Sequence, residues 1–170
     1  MKLILDFDDV LFKNTPEFKD WMFSVIAEAG VARTEEEAAY AKERAKGFSL
    51  KRFLIDRLGN DNQYKKILSK CPELINKDIE ALARNAGKND CYLISHGDKE
   101  YQTDKIVASG AAPLFKEIII VLGSKKGTVE NICAENPEEE VIFYDDKEDF
   151  LSDLDRQKYP NLKTVLYKRG

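Results

Sequence analysis

The chain has 170 residues, 43% hydrophobic and 34% charged, which is enough for one well-cored α/β domain carrying an insertion but not for two large domains. Its 31 acidic residues against 27 basic ones give a net charge of −4 and a pI near 5.2, so there is no global basic footprint and duplex nucleic acid is not the general partner expected, although a nucleotide is compatible. Cys71, Cys91 and Cys133 lack metal-ligand spacing, no secretory leader precedes the first strand, and no apolar stretch approaches the ~18 residues of a membrane span; a soluble protein of a reducing cytoplasm is expected.

Residues 3 to 12 read Leu-Ile-Leu-Asp-Phe-Asp-Asp-Val-Leu-Phe. Lys2 to Leu5 predict a short strand with Asp6 as the first residue at its mouth, where ligands collect in open α/β sheets. In a pleated segment Asp6 and Asp8 share a face while Phe7 packs the other way. Like charges so close repel, and a divalent cation among them relieves that repulsion. A solvated acidic turn with Asp9 capping a helix is the other reading of the same residues.

About 80 residues then separate Asp9 from Cys91, more than one crossover helix needs, and they are rich in helix formers. Thr15-Pro16-Glu17 predicts a helix start, followed by Phe18, Trp21, Met22, Val25 and Ile26 at helical spacing until Gly30. Thr34-Glu-Glu-Glu37 predicts a capping box opening a second helix to about Lys46. Phe53, Leu54 and Leu58 mark a third helix ending near Gly59, Ile67 and Leu68 a fourth, and Ile79, Leu82 and Ala83 a fifth before Gly87. Lys46, Lys51, Arg52 and Arg57 with Phe48 and Phe53 are either substrate contacts or a solvated basic face over a core stripe; Trp21 is assigned to the insertion's core.

Three further strand-to-loop junctions follow. Cys91 to Ile94 form a strand running into Ser95-His96-Gly97-Asp98 and a helix from about Lys99 to Ser109, closed by Gly110; a hydroxyl before free helix-start amides is either a phosphate cradle or an ordinary N-cap. Glu117 to Leu122 is the most hydrophobic run, followed by Gly123-Ser-Lys-Lys-Gly127 and a helix near Thr128 to Glu135. A lysine there could neutralise phosphate charge. Val141 to Tyr144 is a strand ending in Asp145-Asp146-Lys-Glu-Asp149, so a parallel sheet would bring a second carboxylate cluster to the edge that carries Asp6. A helix to about Lys158, Pro160-Asn161 and a strand from Thr164 to Tyr167 close the chain.

These four junctions in this order resemble the haloacid dehalogenase-like hydrolase superfamily, over Leu3 to about Phe150. The matching positions are Asp6-Phe-Asp8-Asp-Val10, then Ser95, then Lys125 or Lys126, then Asp145-Asp146. The resemblance implies an α/β fold, a Rossmann-like parallel sheet sandwiched by helices, with a helical cap inserted after the first strand: residues 1–13 and 88–170 as catalytic core and 14–87 as cap. It implies Asp6 as nucleophile, Asp8 as general acid/base, and Mg²⁺ held by the Asp6 carboxylate, the Asp8 backbone carbonyl and Asp145. Between the two lysines, Lys126 better matches the family pattern of a lysine at the helix start. Ser95 and His96 are the substrate-binding candidates, although His96 also suits a turn. Asp149 either binds metal through water or begins a helix.

Asp8 must be protonated part of the time to serve as an acid, and an acid at this position favours phosphate-ester hydrolysis over dehalogenation. The implied activity is a Mg²⁺-dependent phosphatase of a small phosphorylated substrate acting through an aspartyl-phosphate. A nucleotide or polynucleotide end phosphatase, a phosphomutase and a non-catalytic binding module of the same fold are the alternatives. Substrate identity and oligomeric state are not legible.

Overall fold

A computed structural model describes residues 1–13 and 15–168. Five strands, β1 (Lys2–Asp6), β2 (Cys91–His96), β3 (Glu117–Val121), β4 (Val141–Asp145) and β5 (Leu162–Leu166), form one parallel sheet in the order β3-β2-β1-β4-β5. The chain builds outward from β1 to β2 and β3, then returns to place β4 on the other flank of β1. The strand order therefore reverses between β1 and β4, which is where an open α/β sheet leaves a crevice.

Alternation along the strands divides the core. Leu3 and Leu5 of β1 and Leu93 of β2 pack on one face of the sheet, whereas Ile4, Tyr92, Ile94, Val141 and Phe143 pack on the other. The second face is covered by α7 (Lys126–Glu135) and α8 (Glu148–Ser152), through Val129, Ile132, Cys133 and Leu151. The first face carries α5 (Lys77–Ala86), through Ile79 and Ala83, and α6 (Lys99–Ala108), through Ile106. Both faces are thus buried, as an all-parallel sheet requires.

Helices α1 (Thr15–Glu28), α2 (Arg33–Glu43), α3 (Leu50–Leu58) and α4 (Asn62–Leu68) make up the insertion. The chain leaves β1 through a tight turn in which the Phe12 and Asp9 amides donate to Phe7 O and Phe12 O at 2.8 and 2.7 Å, with Asp9 in the left-handed region. It returns alongside its own exit: Lys13 N donates to Leu74 O and Asn76 N to Leu11 O, at 2.7 and 2.8 Å. Phe12 sits at this neck, fully buried, stacked on Phe7 at 5.0 Å and meeting the edge of Phe18 of α1 at 5.3 Å. The hydrophobic cluster under β1 consequently runs without a break into the insertion, through Phe18, Val25, Leu54 and Ile67.

Some element bounds differ from the sequence reading, among them those of the second and final helices. Within residues 14–87, expected to form the cap, α5 lies on β1, as a right-handed passage from β1 to its parallel neighbour needs a helix on the sheet face; residue 14 lies outside the described residues. The second helix starts at Arg33 rather than Thr34, with Glu35 accepting from the Ala32 amide at 3.2 Å. The final helix stops at Ser152 and does not reach Lys158: Leu154 turns into the core, and the Asp155 carboxylate accepts from Lys158 N at 3.0 Å, a local bond that competes with helix. Among the described residues no helix is long and apolar enough to cross a membrane.

Truncating the neck residue, Phe12→Ala, should cost about 3–5 kcal/mol as a large buried aromatic. Urea unfolding checks this; a loss below about 1 kcal/mol would mean that sheet and insertion do not share one core.

Candidate active site

Register places the site. Asp6 pairs with Ile94 of β2, and Leu5 with Tyr144 of β4, so Asp6, Ser95 and Asp145 come level at the carboxyl ends of three adjacent strands. Asp6 is 4% exposed and Asp145 and Ser95 are fully buried. Asp146 follows immediately, and ligand oxygens of Asp6, Asp145 and Asp146 all lie within 4.8 Å of one another.

The cation that meets these carboxylates is Lys125. Its Nζ lies 2.7 Å from Asp6 Oδ1 and 2.6 Å from Asp145 Oδ2, at 1% exposure, and its remaining surroundings include the Phe150 ring, centred 4.6 Å away. Asp6 Oδ1 also accepts from the Phe7 amide at 2.8 Å, and Asp145 Oδ1 from the Lys147 amide at 2.9 Å. Asp146 Oδ1 is buried without a partner. Three carboxyl groups, Asp6 and Asp145 buried and Asp146 half-buried, meet one buried ammonium, so full ionisation leaves two negative charges without a buried counter-ion. Burial pushes Asp6 up to about 8, with Asp145 adding to the rise and Lys125 opposing it. Burial and the Asp145 charge likewise raise Asp146. Two missing positive charges, oxygen donors and an orphaned carboxylate oxygen fit a hard divalent cation.

Asp8 lies in different surroundings. Its Oδ1 is 2.6 Å from Lys105 Nζ and its Oδ2 accepts from Gln102 Nε2 at 2.9 Å. Burial alone would raise this carboxyl, but the charge and hydrogen bond of Lys105, with the Gln102 bond, outweigh it and hold it below the usual carboxylate range. Lys105 and Gln102 thus favour the carboxylate form of Asp8, which works against the proton that a general acid needs. Lys105 is itself 3% exposed, among the rings of Phe7, Phe12, Phe18 and Tyr101 at 5.0–5.5 Å.

The sequence candidates divide accordingly. Asp6, Asp145 and Ser95 are brought together; the Ser95 hydroxyl is buried with no partner. Lys126 is not: its Nζ donates to the Asp153 carbonyl at 2.8 Å and lies 3.8 Å from Glu130 on the outer face of α7. Lys125 takes the place at the carboxylates because it is in phase with the buried stripe Val129, Ile132 and Cys133, at i+4, i+7 and i+8, whereas Lys126 is in phase with Glu130. His96 is exposed, its Nε2 donating to Leu122 O at 2.9 Å and its ring against Phe150. Asp149 lies outside the carboxylate group, in a surface depression of about 600 Å³ with Ser124, Phe150 and Asp153.

In the insertion, Lys51 is tied to Glu100 at 2.9 Å and Arg57 to Glu35 at 3.0 Å, Phe48 is buried against Tyr40 and Phe53, and Trp21 donates to Ile67 O. Gln102 and Lys105 were missed, and the part played by Asp146, whose carboxylate oxygen lies with those of Asp6 and Asp145, was left open. A signal existed for the first two: Gln102, Lys105, Ile106 and Ser109 fall on one helical stripe, polar where an apolar stripe belongs.

The raised Asp6 carboxyl gives a signed pH dependence. The folded chain keeps a proton that the unfolded chain releases near 3.8, so between about pH 4 and 8 metal-free protein should lose stability as pH rises, by at most about 1.4 kcal/mol per unit for one proton. Urea midpoints with chelator present should show this fall. Mg²⁺ should offset it at pH 8 and do little at pH 5, and Asp6→Asn should flatten it; an unaltered slope in that variant would place the titration elsewhere.

No protein-family model and no curated protein matches the sequence. Solved structures do match in fold. A chain assigned as a haloacid dehalogenase-like hydrolase from Burkholderia xenovorans aligns with a TM-score of 0.70 at 18% identity, over 99% of this chain and 82% of that one. One assigned as a β-phosphoglucomutase from Thermotoga maritima gives 0.54 at 15% identity, over 100% and 88%. The HAD-hydrolase YfnB from Bacillus subtilis, bound to magnesium, gives 0.50 at 16% identity, over 84% and 76%. With a parallel sheet in the order β3-β2-β1-β4-β5 and helices on both faces, the chain has the fold of the haloacid dehalogenase-like hydrolases.

Proposed function

We propose that this chain is a magnesium-dependent phosphatase that cleaves a phosphomonoester through an aspartyl-phosphate on Asp6. The observation that carries the proposal is the single buried ammonium of Lys125 bridging Asp6 and Asp145, with Asp146 alongside. A binding module gains nothing from burying two carboxylates around one lysine with a third beside them, whereas phosphoryl transfer to a carboxylate needs that arrangement to bring two anions together. Magnesium in one structural neighbour is consistent with the cation this charge deficit calls for.

Asp6, Asp145 and Asp146 would hold the cation, with the Asp8 main-chain carbonyl as a further oxygen. When bound, it supplies positive charge that neutralises the nucleophile and the phosphoryl oxygens. Lys125 opposes the rise that burial imposes on Asp6 and fixes the position of its carboxyl group. An Asp6 oxygen attacks phosphorus as the bond from phosphorus to the leaving oxygen breaks, and Ser95, buried and unpartnered, donates to a phosphoryl oxygen. Water then attacks the same phosphorus, Asp8 takes its proton, the bond from phosphorus to Asp6 breaks and inorganic phosphate leaves. With Asp8 paired to Lys105, protonating the leaving oxygen is the harder of its two tasks, so aryl phosphates should turn over faster than alkyl phosphates.

Phosphate release from a panel of phosphomonoesters, with and without Mg²⁺, tests the assignment. Turnover should require the metal and vanish in Asp6→Asn. Lys125→Met should lose about 10²–10³-fold in kcat, the size of a lost electrostatic stabiliser, while Lys126→Met stays within about threefold. Full activity in Asp6→Asn, or equal losses in the two lysine variants, would refute it.

A further inference from the structure

Helix α6 makes no contribution to the nucleophile cluster, yet it turns two polar side chains into the interior. Gln102 and Lys105, one turn apart, take one oxygen each of Asp8: Nε2 to Oδ2 at 2.9 Å and Nζ to Oδ1 at 2.6 Å. Both donors are themselves held. Gln102 also donates to the His96 main-chain carbonyl at 3.0 Å. It packs so closely on Gly97, where φ is 144°, that a Cβ there would lie 2.8 Å from Gln102 Nε2. Gly97 therefore allows the side chain to reach across to the loop after β1. Lys105 is enclosed by four aromatic rings and reaches one carboxylate, that of Asp8. The helix is anchored at its start by Asp98, whose carboxylate accepts from Tyr101 N at 2.9 Å.

A surface carboxylate rotates freely about its last torsion, whereas this one is gripped at both oxygens by donors on one rigid helix. Burying a lysine and a glutamine is costly, and here both reach one carboxylate. We infer that Lys105 and Gln102 are positioning residues for the hydrolytic half of the reaction, aiming the Asp8 carboxylate at the water that discharges the phosphorylated Asp6. In that step the water oxygen bonds to phosphorus, its proton passes to Asp8, the bond from phosphorus to Asp6 oxygen breaks with its electron pair staying on Asp6, and the proton on Asp8 later leaves to solvent. The inference rests on the phosphatase reading above.

Rapid-quench kinetics with p-nitrophenyl phosphate and Mg²⁺ separates the two halves. Its leaving group departs without an acid, so a burst of p-nitrophenol reports phosphorylation of Asp6, and the steady rate reports discharge. In Lys105→Met, whose unbranched side chain suits the aromatic enclosure, the burst rate should stay within about threefold of wild type. Steady turnover should fall about 10- to 100-fold, the range of a mispositioned general base, with about one phosphoryl group accumulating per chain. Gln102→Leu, which leaves the ion pair in place and serves if Lys105→Met does not fold, should change in the same direction by a smaller factor. Parallel losses in burst and turnover would assign both residues a structural role and overturn the inference, as would variants indistinguishable from wild type. A wild-type chain that releases no phosphate overturns the phosphatase reading itself, a different result from an active wild type with an unaltered ratio in the variants.

Discussion

The carboxyl edge of the sheet is governed by a charge imbalance: Asp6 and Asp145 are buried beside the half-buried Asp146, and among the described residues Lys125 is the buried cation that bridges the first two. Buried carboxylates are costly unless paired, and one lysine cannot pair three. The sheet creates the problem by register, since level pairing of β1 with β2 and β4 sets Asp6 and Asp145 side by side at the reversal of strand order. It also supplies the means of relief, because that reversal is where a ligand can enter between strand ends. In the proposed reading a divalent cation closes the balance and leaves Asp6 an ionised, oriented nucleophile.

The second carboxylate, Asp8, is kept apart from this cluster by its own counter-ion. Lys105 and Gln102 reach it from the opposite face of the sheet from Lys125, so Asp6 and Asp8 form ion pairs with different lysines. Enclosure comes from the insertion. Its hydrophobic interior is continuous with the core beneath β1, and its loop at Gly47 lies so close to Asp98 and Leu122 that a Cβ there would stand 3.1 Å from Asp98 Oδ1. With Lys51 joined to Glu100 in the first turn of α6, the insertion rests on the helix whose Gln102 and Lys105 grip Asp8. The placement of the insertion and of Asp8 thus share one helix.

The strands and their carboxyl-edge residues were legible because short apolar runs ending in Asp or Ser carry their own boundary. The sheet needed only the parallel-topology rules to bring Asp6, Ser95 and Asp145 together. What escaped depends on phase and on distance in sequence. Lys125 and Lys126 are adjacent, and only the stripe of Val129, Ile132 and Cys133 chooses between them; a motif match favoured the wrong phase for contact with the carboxylates. Lys105 lies 97 positions from Asp8, so no local pattern announces their pairing, although a polar stripe on a helix that must cover a sheet marks the face to question. The place of α5 on the sheet, rather than in the insertion, was recoverable from the need for a crossover helix before β2.

The most direct measurement is the stoichiometry of divalent-cation binding, with Mn²⁺ titrated into metal-free protein and free ion followed by electron paramagnetic resonance. The account predicts one saturable site per chain, displaced by Mg²⁺, lost in Asp145→Asn and kept in Asp149→Asn. No saturable site, or one indifferent to Asp145, would contradict the claim that the buried carboxylates are balanced by a metal.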